Sequence, residues 1–361
     1  MGNFTDELLD LSRRISSNPS PRELDMLLTA GERISASLLS IAINELGVNA
    51  VSFSGYQVGI LTDDYHTNAK ILEIKGGRLE QALKEGKVPV VAGFQGISEE
   101  DEETTLGRGG SDTTAVALAQ ALDVGYCEIY TDVEGVYTEN PREFKGLKMI
   151  PELSHDEMFE LSSGGAGVLH ARAAALAAKY GIKVIIKSSF GRKEGTIITN
   201  SINLEKPFVR GITHLHGLSL FTILDVPQEL ASFSEVLTNL AKNGVRVKFF
   251  LQGIPQNRLI DLSIIIADED FEKASSLINS MVGKIRAKGL ALKRQLGSFS
   301  LVGPGIGNDT TTLSRIFKAL GKKEITVEIM NVSELNVTCV VANNILHTAV
   351  ETLLTEFNLK K

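Results

Sequence analysis

The chain has 361 residues, 43% of them apolar and 22% charged, a balance that fits a globular protein with room for more than one domain. Its 44 acidic and 37 basic residues give a net charge of −7, which excludes a nucleic-acid binder held by bulk charge. Two lone cysteines, no apolar stretch of membrane-spanning length and no basic leader lead us to expect a cytoplasmic protein without disulfides or a membrane partner.

The opening MGNFTDELLDL reads as a loop entering a helix. Gly2 and Asn3 are turn formers, Asn3 or Thr5 can cap, and Asp6 and Glu7 suit a first turn. Residues 22–46 have a helical period, with Pro21 before the start and Gly47 at the stop. Strand and helix then alternate. VNAVSFSG is a strand, GRLEQALKEG a helix and VPVVAGFQG a buried strand. SDTTAVALAQALDVG is a helix with both caps, YCEIYTD a strand, VLHARAAALAAKYG a helix and IKVIIKSS a buried strand. This order predicts an α/β domain over residues 1–200, a mostly parallel sheet sandwiched by helices. Loops at the C-terminal strand ends then share one crevice. The acidic run at 99–103 reads as a solvated hairpin tip.

A polar stretch between 199 and 212, containing Pro207, marks a boundary. Beyond it a strand-helix-strand-strand order occurs twice, over 212–290 and 298–361, and the helix ILHTAVETLLTEF ends the chain. Two ferredoxin-like βαββαβ copies are expected, a common platform for ligands.

Three segments can carry chemistry. In TTLGRGGSDTTAVALAQAL, Gly107, Gly109 and Gly110 let the backbone approach a ligand, the helix N-terminus suits an anion, and Arg108 can grip a carboxylate or phosphate. The bland alternative is a flexible turn with a Ser/Asp cap. The segment is neither a P-loop nor a Rossmann fingerprint. In YTDVEGVYTENPREF a strand delivers Thr131 and Asp132 to its end, where short polar groups can touch a nucleotide; a plain hairpin is the alternative. In LLTAGERIS, Gly31 costs a helix about 1 kcal/mol against Ala, which points to packing or function, and Glu32 beside Arg33 can be a surface pair. Of six histidines only His214 and His216 have ligand-like spacing, in what reads as an edge turn, and no metal site is expected. Cys127 and Cys339 read as core residues.

Taken in order, TDELLDL, LLTAGERISASLL, FSGYQVGILTD, GFQG, TTLGRGGSDTTAVALAQAL, YTDVEGVYTENPR, IPELSHDEM and GAGVLHARA resemble aspartate kinase of the amino-acid kinase superfamily, with its tandem ACT domains. The likeness covers nearly the whole chain. It implies transfer of the γ-phosphoryl group of ATP, with Mg²⁺, to the side-chain carboxylate of L-aspartate. The product, 4-phospho-L-aspartate, opens lysine, threonine and methionine biosynthesis.

By motif match, Thr5, Glu32, Arg108 and Ser111 would form the aspartate site, with Arg108 on a carboxylate and Glu32 on the ammonium. Asp112 would orient groups near the transferring phosphoryl, acting with Arg108 in catalysis. Thr131, Asp132, Tyr137, Arg142, Gly167 and Val168 would border ATP. Gln252, Thr326, Ser333 and Glu334 fall at effector contacts of the ACT copies, with Thr326 where Asn is common. An amino-acid effector and a homodimer or larger homo-oligomer are implied.

The family pattern also has a strand with a Lys-Phe-Gly-Gly-Thr-Ser type motif, whose lysine stabilises the phosphoryl, and a second strand ending Ser-Ala-Met-Gly. This sequence has neither; Met1-Gly2 matches the end of the second. Activity is expected to be low on that account, since one such charge is worth on the order of 10²–10³ in rate. The rival is a non-catalytic ACT protein that senses an amino acid. A kinase of N-acetylglutamate is disfavoured by the ACT duplication and the Arg108 loop.

Overall fold

The computed structural model describes residues 4–191, 194–200 and 208–361. Met1 to Asn3 and most of the polar boundary stretch, Pro207 included, lie outside the described residues. The chain divides into two compact units. One comprises Met1–Tyr137 and Met149–Asn203, the other Thr138–Lys148 and Leu204–Lys361.

The first unit opens with α1 (Phe4–Ile15), acidic in its first turn and basic in its last, as the helix dipole favours. Pro21 starts α2 (Pro21–Glu45). A Cβ at Gly31 of α2 would stand 3.3 Å from Phe4 and 3.7 Å from the Thr5 hydroxyl, so close helix packing explains this mid-helix glycine. Next come β1 (Ala50–Phe53), α3 (Gly55–Val58), β2 (Ile60–Thr62), β3 (Ile71–Ile74), α4 (Gly77–Lys84) and β4 (Val88–Val91). They are followed by β5 (Gln95–Ser98), β6 (Glu103–Thr105), α5 (Gly110–Ala121) and β7 (Tyr126–Thr131). After the excursion to the other unit come β8 (Glu152–Ser154), α6 (His155–Ser163), α7 (Ala171–Tyr180), β9 (Lys183–Ser188) and β10 (Thr196–Thr199).

Parallel strands occur where alternation predicted them. β1 runs parallel to β4, and β7 to β9. They do not form one continuous sheet, however. β1–β4 is a two-stranded pair, β3-β2-β5-β6 a mixed sheet, and β7-β9-β10-β8 another. β4 is bonded on one side only, so the strand expected to be buried leaves Val88 40% exposed. Phe53, Val58, Ile60, Leu79 and Ala82 form a core against which Leu118 of α5 and Leu122, just past its end, pack. Burial of each large apolar side chain stabilises by about 1.5–3 kcal/mol and holds the C-terminal end of α5 on this core.

Two expectations are refined here. α2 has membrane-span length and hydropathy, 1.4 over its best window, because between Asp25 and Glu45 it carries only the charges Glu32 and Arg33. Yet its Asp25 and Thr29 are fully buried against protein partners. The acidic run tips the antiparallel β5–β6 hairpin, exposed over 99–101, while Glu102, its side chain 40% exposed, pairs with Arg22 at 2.9 Å and Glu103 with Arg33 at 2.7 Å.

The second unit contains β11 (Gly211–Pro227), α8 (Leu230–Lys242), β12 (Val247–Gln252), β13 (Leu259–Ala267) and α9 (Phe271–Val282). The same order repeats as β14 (Gly289–Val302), α10 (Thr310–Gly321), β15 (Ile329–Val332), β16 (Asn336–Ala342) and α11 (Asn343–Glu356). The duplication is present, but the copies share one antiparallel sheet of order β12-β13-β11-β14-β16-β15. The reason is length: β11 has 17 residues and β14 has 14, so each serves both copies, crossing near Leu218 and Leu296. Phe221, Val236, Leu240, Ile264, Ile266 and Ile278 sit in the first copy's core. The 138–148 segment is tied in by Thr138, whose carbonyl accepts the Ile212 N–H and whose hydroxyl donates to the Leu359 carbonyl, at 2.7 and 2.8 Å.

Candidate active site

β6 feeds the glycine loop into α5. Gly107 and Gly109 have φ of 75° and 67°, the left-handed region where glycine is favoured. A Cβ at Gly109 would lie 2.1 Å from the His170 side chain, and one at Gly110 2.8 Å from Phe94. The loop is therefore compressed between neighbours rather than flexible.

The expected Ser/Asp cap is not formed. Gly109 is the N-cap residue and no side chain caps α5, while Ser111 and Asp112 lie in the first turn. The N-terminal partial charge stays available to a ligand. Asp112 instead accepts the His170 N–H at 3.1 Å. Burial pushes its carboxyl pKa up against the opposing pull of that bond and of His170. Burial, with Arg172 nearby, lowers the His170 pKa, and its Nδ1 accepts the Arg172 N–H at 3.3 Å, a neutral ring's geometry.

The loop is braced by residues the sequence reading did not single out. Arg172 donates to the Leu106 carbonyl at 2.6 Å, to Asn68 Oδ1 at 3.2 Å and to the Ala69 carbonyl at 2.8 Å. Asp25 accepts from the Thr105 hydroxyl at 2.5 Å, from the Thr67 N–H at 3.0 Å and pairs with His66 Nδ1 at 2.7 Å. Asp25 shares the buried face of α2 with Leu28, Thr29 and Ala36, and a lone carboxylate among these uncharged residues was the signal available for it. The partners of Arg172 are distant in sequence, so spacing carried no trace of them.

Thr5 lies beside Gly31, and Glu32 follows on the same helix, half-buried, with its pKa raised by burial. Arg108 and Ser111 are exposed, and Gly93 packs on Ser111, whose Cα a Cβ at Gly93 would approach to 3.3 Å. No hydrogen bond or ion pair joins any two of Thr5, Glu32, Arg108 and Ser111 among the described residues. Thr131 ends β7 and donates to Asp132 at 3.2 Å. Tyr137 donates to Glu134 at 2.7 Å, and burial together with that carboxylate pushes its phenol up to about 12. Gly167 is exposed and Val168 half-buried just before α7. Arg142 belongs to the other compact unit, where its N–H donates to Asn140 Oδ1 at 3.1 Å.

In the second unit Gln252 is exposed at the end of β12 and Thr326 is exposed ahead of β15. Ser333 and Glu334 form the β15–β16 turn, where the Ser333 N–H donates to the Asn336 carbonyl at 2.9 Å. Gly307 closes on it so tightly that a Cβ would come 1.7 Å from the Ser333 carbonyl.

An α/β unit with parallel strand pairs and a glycine loop leading into α5, followed by a fused ferredoxin-like pair, has the architecture of an amino-acid kinase with ACT domains. Residues 1–188 match the Amino acid kinase family and 299–357 an ACT domain. An aspartokinase of Bacillus sp. (strain MGA3) is 42% identical over 360 residues, 99% of this chain and 88% of that relative. Aspartokinase 2 of Bacillus subtilis is 39% identical over 362 residues, 100% of this chain and 88% of that relative. The crystal structure of E. coli aspartokinase III in complex with aspartate and ADP superposes with a TM-score of 0.82 at 25% identity, covering 98% of this chain and 80% of that one. The chain belongs to the aspartokinase family.

Proposed function

We propose that the 107–111 loop and the start of α5 are where this chain carries out the aspartokinase reaction, transfer of the ATP γ-phosphoryl group to the side-chain carboxylate of L-aspartate. The observation that carries the assignment is the uncapped N-terminus of α5 behind a compressed glycine turn, with Arg108 exposed beside it. Arg108 offers a bidentate grip to a substrate carboxylate, and Glu32 offers a counter-charge to its ammonium. The nucleophile is already an anion at neutral pH, so no general base is needed. Positioning and charge neutralisation are the work required. Asp112, held by the His170 N–H, orients groups near the transfer. Thr131, Asp132 and Tyr137 border the nucleotide at the end of β7, with Gly167 and Val168; Arg142 is assigned on motif alone. Asp132, a hard oxygen donor, would help hold Mg²⁺, which would supply charge neutralisation at the phosphates.

We assign effector binding to Gln252, Thr326, Ser333 and Glu334, supported by the tight Gly307–Ser333 turn. A cytoplasmic homodimer completes this reading. A coupled ADP-release assay with L-aspartate as the variable substrate tests it. Arg108→Ala should raise the KM for aspartate by on the order of 10–100-fold while leaving the KM for ATP within a factor of two. Aspartate-dependent turnover indifferent to that substitution would refute the site.

A further inference from the structure

We propose that the second unit holds a divalent transition-metal site of the zinc type, formed by His214 and His216 of β11 with Glu143 of the 138–148 segment. Two residues apart on a strand, the histidines share one face of the sheet. The three ligand atoms lie within 4.8 Å of one another. Glu143 Oε2 stands 2.9 Å from His214 Nε2 and 3.8 Å from His216 Nε2. Ligands bound to zinc at ~2.0–2.1 Å in a tetrahedron stand about 3.3 Å apart, so these spacings bracket the requirement.

The surroundings argue more strongly than the spacing. His214 Nδ1 faces Glu139 Oε1 at 2.5 Å, and His216 Nδ1 faces Asn343 Oδ1 at 2.8 Å. Both partners are acceptors, so each ring carries its proton on Nδ1 and turns a basic Nε2 toward Glu143. Oxygen acceptors behind zinc-bound histidines have this arrangement. Glu143 is oriented as well: Asn140 donates to its Oε1 at 2.7 Å, leaving Oε2 for the ion. His214 Nε2 and Glu143 Oε2 face one another at 2.9 Å, and the His216 ring centroid is 5.0 Å from that of His214. An ion shared by both Nε2 atoms and Oε2 satisfies all three groups together. Two nitrogens and one oxygen suit Zn²⁺, Co²⁺ or Ni²⁺ over Mg²⁺ or Ca²⁺. The Glu139 side chain is 1% exposed, whereas the Glu143 and His216 side chains are 40% and 52% exposed, which gives the ion an entry path and leaves a fourth position for water. The site would clip the 138–148 segment to β11, and it is independent of the kinase assignment.

The test is a titration of the full chain, stripped with a chelator, with Co²⁺. One equivalent should bind with a visible d–d band, be displaced by Zn²⁺, and resist Mg²⁺. Because His216 and Glu143 are exposed, His216→Ala and Glu143→Gln should fold normally by circular dichroism and lose at least tenfold in affinity. Zn²⁺ should raise the Tm of the wild type and leave that of His216→Ala unchanged. Absence of saturable binding in the wild type, or equal affinity in the variants, overturns the proposal.

Discussion

The guanidinium of Arg172, on the first turn of α7, donates a 2.6 Å hydrogen bond to the main-chain carbonyl of Leu106, the residue that precedes the glycine loop. Its other nitrogen reaches the Ala69 carbonyl at 2.8 Å, so one planar fork joins two chain segments. A lysine keeps the charge and loses the fork. Arg172→Lys is therefore expected to lower kcat/KM for aspartate by on the order of 10-fold through displacement of the loop, with a smaller loss of stability. Arg172→Ala should be worse on both counts. Steady-state kinetics beside a denaturation curve separate the two effects, and unchanged kinetics in both variants would remove Arg172 from the positioning of the loop.

Two glycines provide a matched comparison. Gly109 has a left-handed φ of 67° and His170 pressed against it, whereas a Cβ at Gly167 meets nothing within 4 Å. Gly109→Ala should cost roughly 1–3 kcal/mol and most of the activity, because the loop must shift to relieve the clash. Gly167→Ala should stay within about 0.5 kcal/mol of wild type. Thermal unfolding and the ADP-release assay on the pair check this, with equal effects counting against a compressed loop.

Asp112 makes the site pH-sensitive in stability. Burial raises its folded pKa above the unfolded value, so the native state binds the proton more tightly. Its contribution is favourable below the ordinary carboxylate range and is lost as pH rises through the raised value. Neutral pH thus holds a charge the fold would rather lack. Asp112→Asn keeps an oxygen for the His170 N–H and should raise Tm at pH 7, with the gain shrinking toward pH 4. Catalysis should fall meanwhile. A Tm difference that grows with acid would contradict the assignment.

The alternation of apolar strands and helices was legible because period and capping are local properties, and so were the loop and the ACT duplication. The fused six-stranded sheet was not, since two separate copies and one shared sheet have the same strand order and differ only in the reach of β11 and β14. Composition around Arg108 indicated an anion site. The uncapped helix was misread because Ser111 and Asp112 look like a cap in one dimension, while the turn places Gly109 there. Arg142 was assigned beside Tyr137 by motif match, and the chain passes from one compact unit to the other between the two residues, which no local pattern reports. The bracing by Arg172 and Asp25 depends on partners such as Leu106 and Thr105, 66 and 80 residues away, which no local pattern reports.

Asp25 yields the largest stability prediction. Its carboxylate is fully buried in α2 and satisfies the Thr105 hydroxyl, the Thr67 N–H and His66 Nδ1 together. Removing the shared acceptor leaves several donors unpaired at once, which costs far more than one net hydrogen bond. Asp25→Ala is expected to destabilise by about 2–4 kcal/mol, because a buried donor left without its acceptor costs about 1–3 kcal/mol and more than one is left here. Thr105→Val removes a single donor and should cost only about 1–2 kcal/mol, because the carboxylate keeps its other two partners. Urea unfolding with an unchanged m-value reads both. Similar losses in the two variants would show that Asp25 acts through Thr105 alone and that tying α2 to His66 and Thr67, between β2 and β3, as well as to β6 carries no additional stability.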